Sequence, residues 1–344
     1  MSNNISSAVI FGCSGTVLSD AEREFFARVR PLGFILFARN IDTPEQVAAL
    51  VRSLRECVEQ PGAPVLIDQE GGRVQRLKPP HWESRPAGKV FGDMYETDPE
   101  KALDAAHVNA RFIGRDLKDL GIDVDCLPLL DVPIDGAHDV IGDRAFSKDP
   151  RAVADLGIAV CEGLLAEGVM PVVKHLPGHG RAFADSHLSL PMVSTARVDL
   201  ERRDFEPFRQ LASAPWGMTA HLLYTAIDAE KPASLSKRVI GDIIRGYIGF
   251  RGFLLCDDLS MKALKGSFEE RTAQALEAGC DAVLHCNGDR AEMEAVAAGV
   301  RPLSDTALER LARAENMRSK AVRNAPEMDY ARARKDLDGL LAGV

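Results

Sequence analysis

Gly168-Val169-Met170-Pro171-Val172-Val173-Lys174-His175 reads as a helix stop, a short buried strand and two polar side chains at its end. Glycine supplies the left-handed cap that closes a helix at little conformational cost. Val169 to Val173 is apolar without alternation, as expected of a strand covered on both faces of a parallel sheet. Lys174 and His175 therefore stand where strand gives way to loop. The continuation, Leu176-Pro177-Gly178-His179-Gly180-Arg181-Ala182-Phe183-Ala184-Asp185-Ser186-His187, adds two further imidazoles, a carboxylate and a hydroxyl among glycines. Buried cores avoid that composition, and solvated loops rarely concentrate imidazoles. An enzyme is the first expectation.

The same unit recurs along the chain. Apolar runs predict strands at Ser7–Phe11, Phe34–Phe37, Val65–Ile67, Val124–Leu127, Pro171–Lys174, Gly217–Ala220, Phe253–Cys256 and Ala282–His285. Helices lie between them. Thr43-Pro44-Glu45-Gln46 and Ser267-Phe268-Glu269-Glu270 read as capping boxes, the first with Pro at the opening helical position. Asp149-Pro150 opens another helix, and Gly33, Gly121, Gly168 and Gly279 read as stops before strands. Strict alternation of strand and helix admits a (β/α)8 barrel or a doubly wound open sheet. Polar residues collect at the C-terminal ends of many strands rather than at one switch point, which favours the barrel. No composition break marks a second domain. Residues 1–344 are expected to form a single barrel domain, with strand–helix repeats over about 7–300 and packing helices over about 304–344.

With 344 residues, 46% of them hydrophobic, the chain can bury a large core. Its net charge of −9 and lack of a Lys/Arg cluster exclude a phosphate-backbone binder, so no nucleic-acid partner is expected. Seven scattered cysteines, at 13, 57, 126, 161, 256, 280 and 286, read as free thiols in a reducing compartment. The first twenty residues lack the basic start and long apolar core of a secretory signal, and no run reaches transmembrane length. A cytoplasmic monomer without a membrane partner is expected.

Strand ends carry the candidate chemistry. The third leads into Asp68-Gln69-Glu70-Gly71-Gly72-Arg73-Val74-Gln75-Arg76, and the fourth into Pro128-Leu129-Leu130-Asp131 with Ile141-Gly142-Asp143-Arg144 beyond. The fifth ends in Lys174-His175, the sixth in His221, the seventh in Asp257-Asp258 and the eighth in His285-Cys286-Asn287. In a barrel these ends share one bowl. Each residue also has a plainer reading: Asp68 as a helix cap, Arg76 and Arg144 as surface ion pairs, Asp131 as a turn former, His221 and His285 as packing groups, His179 as loop structure. Their coincidence at one end of successive strands outweighs those readings taken singly. His175 and His179 are four apart, but Pro177-Gly178 forbids a shared helix face, and no metal-ligand spacing is present, so neither metal nor cofactor is expected. Gly178-His179-Gly180 lacks the third glycine of a dinucleotide fingerprint. A Schiff-base role for Lys174 would need an apolar pocket, and its neighbours are polar.

Lys174 to Gly180 with Asp185-Ser186-His187 closely resembles the signature of glycoside hydrolase family 3, above all its bacterial β-N-acetylglucosaminidases. Gly33-Phe-Ile-Leu-Phe-Ala-Arg-Asn40, Asp68 to Arg76, Ile141 to Arg144 and Cys256-Asp-Asp-Leu-Ser-Met261 match further pieces in order, over roughly residues 10–290. Cys256, where Ser or Thr is usual, and Leu176, where an aromatic is common, depart from the pattern. The resemblance implies a catalytic barrel that hydrolyses terminal β-linked N-acetylglucosamine with retention. It implies Asp257 as nucleophile, His187 as general acid/base with Asp185 as its partner, and Asp68, Arg76, Arg144, Lys174 and His175 as groups that hold sugar hydroxyls. Cell-wall muropeptides of the GlcNAc–anhydroMurNAc type are the implied substrate, with chitin fragments as the alternative.

The residues can support that chemistry. A retaining glycosidase needs an attacker below the anomeric carbon and a proton donor beside the leaving oxygen. Asp185 and His187, two apart on an extended segment, project to one side, so the carboxylate can hold one ring nitrogen and leave the other to the substrate. Asp257-Asp258 could instead orient a substrate acetamido group as nucleophile, but consecutive strand residues face opposite ways. A phosphorylase and a non-enzymatic sugar sensor are the rival functions; the complete donor and nucleophile set disfavours the sensor.

Overall fold

The computed structural model describes residues 6–136, 139–182 and 190–342. Eight parallel strands close into a barrel: β1 (Ser7–Gly12), β2 (Pro31–Leu36), β3 (Val65–Ile67), β4 (Val124–Asp125), β5 (Met170–Leu176), β6 (Trp216–Thr219), β7 (Phe253–Asp258) and β8 (Ala282–His285). Each pairs with its sequence neighbours, and β1 pairs with β8 in the register Val9↔Val283, so no edge is left open. This is the (β/α)8 barrel that the polar strand ends favour over a doubly wound sheet. Two short strands, Met192–Val193 and Leu223–Tyr224, pair outside it.

Local chemistry explains most element ends. Ser267 and Glu270 form the full capping box of Phe268–Ala278. At Pro44–Cys57 only half of the predicted box forms: Thr43 accepts from the Gln46 amide, whereas the Gln46 side chain accepts from Asp42 N at 2.9 Å. Gly168 closes Pro150–Glu167 in the left-handed conformation. Gly33 is not a helix stop. It lies inside β2, where a Cβ would sit 2.3 Å from the Pro64 carbonyl, and Arg30 takes the left-handed cap of Asp20–Val29 instead. Close backbone approach in the barrel wall, rather than helix termination, selects glycine there.

β5 runs further than its apolar stretch, through Lys174, His175 and Leu176, because Ala220 N donates to the Leu176 carbonyl at 2.7 Å. The polar pair is thus carried on the rigid wall. The barrel interior and the strand–helix layer form one continuous apolar core, with Phe11, Phe25, Phe26 and Phe34 packed edge to face. Helices Asp305–Asn324 and Tyr330–Leu341 pack on the outside, tied by Arg310 to Asp281 at 2.5 Å and by Phe112 against Tyr330. No helix among the described residues is long and apolar enough to cross a membrane, and the seven cysteines are free thiols.

Candidate active site

At the C-terminal mouth of the barrel a cavity of about 190 Å³ is lined by Asp68, Arg76, Arg144, Lys174, His175 and Asp257. These come from four βα segments, and every sequence-predicted site residue within the described part of the chain meets there. Asp185 and His187 lie outside the described residues. Phe37, Met218 and Met261 supply apolar wall, so the cavity suits a ligand with both hydroxylated and apolar faces.

The β3 segment folds back at Gly71-Gly72. Glu70 N and Gly71 N both donate to the Val74 carbonyl, and a Cβ on Gly71 (φ +96°) would lie 2.2 Å from the Pro86 carbonyl. Only glycine fits that conformation and that gap. The reversal returns Arg76 to Asp68, with Nη2 3.1 Å from Oδ2. Lys174 Nζ lies 2.9 Å from Asp68 Oδ1 and 2.7 Å from Glu70 Oε1. Arg144 donates to both Glu70 oxygens, at 2.9 and 2.7 Å. Charges therefore alternate along Arg76–Asp68–Lys174–Glu70–Arg144, tying the segments after β3 and β4 to the end of β5.

Burial opposes the charge of Asp68, but Lys174 and then Arg76 outweigh it and hold the carboxyl below its usual range. Glu70 is likewise buried, and Lys174 followed by Arg144 bring it down to about 2. Burial pulls the Lys174 ammonium down, yet Asp68 and Glu70 leave it above its usual value. All three are ionised at neutral pH. Asp125, deeper in the barrel, has its carboxyl pushed well up by burial.

Asp131, fully buried, is more than a turn former. It accepts from His175 N (3.2 Å), His179 N (2.6 Å) and His175 Nδ1 (2.7 Å). Burial works against its charge, and His175 more than restores it. An ionised carboxylate only accepts, so His175 carries its proton on Nδ1. His179 packs edge-on to that ring, and burial, then His175, lower it to about 4, leaving it neutral. Asp131→Ala strands two buried amides and an imidazole N–H. Denaturant unfolding should show a loss of about 2–4 kcal/mol, from roughly 1–3 per orphaned group with partial relief by water; a loss under about 0.5 kcal/mol would contradict this role.

Asp257 and Asp258 both line the cavity, so the alternation expected of a strand does not hide Asp258. Its carboxylate is nevertheless committed: Oδ1 accepts from Ser260 N and Cys286 N, and Oδ2 from Ser260 Oγ. Asp257 Oδ1 accepts from Asp258 N at 2.8 Å. His221, wholly buried, places Nε2 3.0 Å from the Asp258 carbonyl and Nδ1 2.7 Å from Ser234 Oγ, fixing the end of β7. Sequence reasoning missed Glu70, although it stands two residues past Asp68 in the glycine-turned segment, and gave Asp131 too small a part. Among the described residues no group of three or more His, Cys, Asp or Glu side chains is placed to hold a metal ion.

A closed βα barrel with carboxylates, cations and imidazoles at its C-terminal mouth defines a barrel enzyme acting on a small polar ligand. Residues 14–315 match the family described as the glycosyl hydrolase family 3 N terminal domain, and the chain belongs to that family. The β-hexosaminidase of Alkalilimnicola ehrlichii is 40% identical over 301 residues, covering 86% of this chain and 84% of that one. That of Nitrosomonas eutropha is 38% identical over 278 residues, covering 80% and 79%. NagZ from Neisseria gonorrhoeae, crystallised in complex with N-trifluoroacetyl-D-glucosamine, is 32% identical with a TM-score of 0.86, covering 98% of both chains.

Proposed function

We propose that this glycoside hydrolase, a β-N-acetylhexosaminidase, removes terminal β-linked N-acetylglucosamine with retention of configuration, through a covalent intermediate on Asp257. The observation that carries the reading is the position of Asp257 in the cavity wall. Its neighbour Asp258 is tied into the turn, and the hydroxyl-binding set Asp68, Arg76, Arg144, Lys174 and His175 lines the same cavity. The names of the relatives support the sugar, and the alternating charges support a polyhydroxylated ligand, which both donates to carboxylates and accepts from cations.

In this reading Asp257 attacks the anomeric carbon while His187, partnered by Asp185, protonates the departing oxygen. Water deprotonated by His187 then attacks the glycosyl–Asp257 ester, releases the sugar and returns the carboxylate. Engagement of the Asp258 oxygens favours direct attack over acetamido participation, which needs a second carboxylate free to orient the amide. The substrate is a muropeptide of the GlcNAc–anhydroMurNAc type, and the enzyme acts as a cytoplasmic monomer without cofactor.

The test is turnover of an aryl β-N-acetylglucosaminide followed by trapping with a fluorinated analogue that slows breakdown of the intermediate. The adduct is expected on Asp257. Inhibition with turnover but no adduct overturns the covalent step. Acceleration by phosphate with release of sugar 1-phosphate would make the enzyme a phosphorylase instead.

A further inference from the structure

Glu70 does not line the cavity, yet it touches two groups that do. Its side chain is only 5% exposed and lies between the Arg144 guanidinium, whose carboxylate partner it is, and the Lys174 ammonium, which it shares with Asp68. The contact with Arg144 is a fork: Nε and Nη2 each donate to a separate carboxylate oxygen. A two-point contact fixes the plane of the guanidinium as well as its place, which a single contact does not. Arg144 needs that help. It sits in the single turn Gly142–Arg144, far along the loop after β4, and it also donates to the Val140 carbonyl just before that turn. Lys174 is anchored differently: it rises from β5 and has a second carboxylate in Asp68.

We propose that Glu70 is a positioning residue that sets the sugar-facing geometry of Arg144, and to a lesser degree of Lys174, without touching the substrate. The proposal rests on the reading above that Arg144 holds a sugar hydroxyl. The effect of Glu70 is therefore one of affinity. Losing it should loosen ground state and transition state alike, which raises KM and leaves kcat nearly unchanged.

A double-mutant cycle on the aryl β-N-acetylglucosaminide, with unfolding midpoints recorded for every variant, tests this. Glu70→Gln keeps the shape of the side chain but loses its charge and one acceptor. It is expected to raise KM by about 10-fold or more with kcat within about 3-fold, as for loss of one charged hydrogen-bond pair. Arg144→Ala is expected to raise KM by at least as much. In the double variant the rise should fall short of the product of the two single effects, because once Arg144 is gone Glu70 has less to position. Should Glu70→Gln fail to fold, Glu70→Asp serves in its place: it keeps the charge, cannot span the fork, and should give an intermediate rise. A fully multiplicative double variant, or a Glu70 variant with normal KM beside an impaired Arg144→Ala, overturns the positioning role. Normal KM in Arg144→Ala itself overturns the sugar-anchor reading, and the positioning role falls with it.

Discussion

Asp257→Ala is expected to lower kcat by roughly 10⁴-fold or more on an aryl β-N-acetylglucosaminide, the scale seen when a covalent nucleophile is removed from an enzyme that keeps its binding groups. Asp258 cannot stand in. Its two oxygens are held by Ser260 and the Cys286 amide, so reaching the anomeric carbon would cost those bonds. The truncated side chain leaves room for a small anion on the face from which Asp257 attacks. Added azide should therefore restore part of the turnover and give a glycosyl azide of α configuration. Turnover within about tenfold of the parent enzyme, or an azide product of β configuration, would show that another group attacks the sugar.

Lys174→Met should be the most destabilising change at the site. The ammonium is almost fully enclosed and is the only group that touches both Asp68 and Glu70 in the alternating chain. Removing one member of a buried ion cluster typically costs about 3–5 kcal/mol, because the partners stay buried with less compensation. Asp68 keeps Arg76 and Glu70 keeps Arg144, which holds the loss within that range rather than beyond it. The pH dependence follows from the carboxyls. Both are depressed in the folded protein, so their contribution is full above the unfolded values near 4 and is lost as pH falls through the folded ones, about 2 for Glu70. Lys174 is raised, so its own contribution persists until pH exceeds its unfolded value of about 10.4. Denaturant unfolding should thus show a constant gap between parent and variant from about pH 5 to 10 that narrows below about pH 4. An equal gap at pH 3 and pH 7 would mean that packing of the lysine stem, not charge, is at stake.

The two variants probe residues whose type and place follow from the chain in different ways. Asp257 and Lys174 each stand at the end of a near-continuous apolar run, and a strand that must be buried on both faces can place charge only at its end. That rule picks out Asp68, Lys174, His175 and Asp257 before any coordinates are known. Arg76 and Arg144 stand beyond strand ends, and only the folding-back at Gly71-Gly72 and the turn Gly142–Arg144 bring them to the same cavity. Glu70 was overlooked for a related reason. A carboxylate near two glycines resembles any surface turn until its three contacts, from the loop after β4 and from β5, are seen. Gly33 failed in the opposite direction: a local rule for helix ends was overruled by a carbonyl thirty-one residues away in sequence, at Pro64.

From sequence alone the apolar runs determined the strand–helix repeat, and the polar residues at many strand ends favoured a barrel and marked which of its ends bears them, because hydrophobic burial and helix capping act over a few neighbouring residues and leave their mark in order along the chain. Which carboxylate faces which cation was decided only in three dimensions. Ion pairs between Asp68, Glu70, Lys174 and Arg144 join segments as much as 106 residues apart, and their strength depends on distances and exclusion of water that exist only once the barrel has closed.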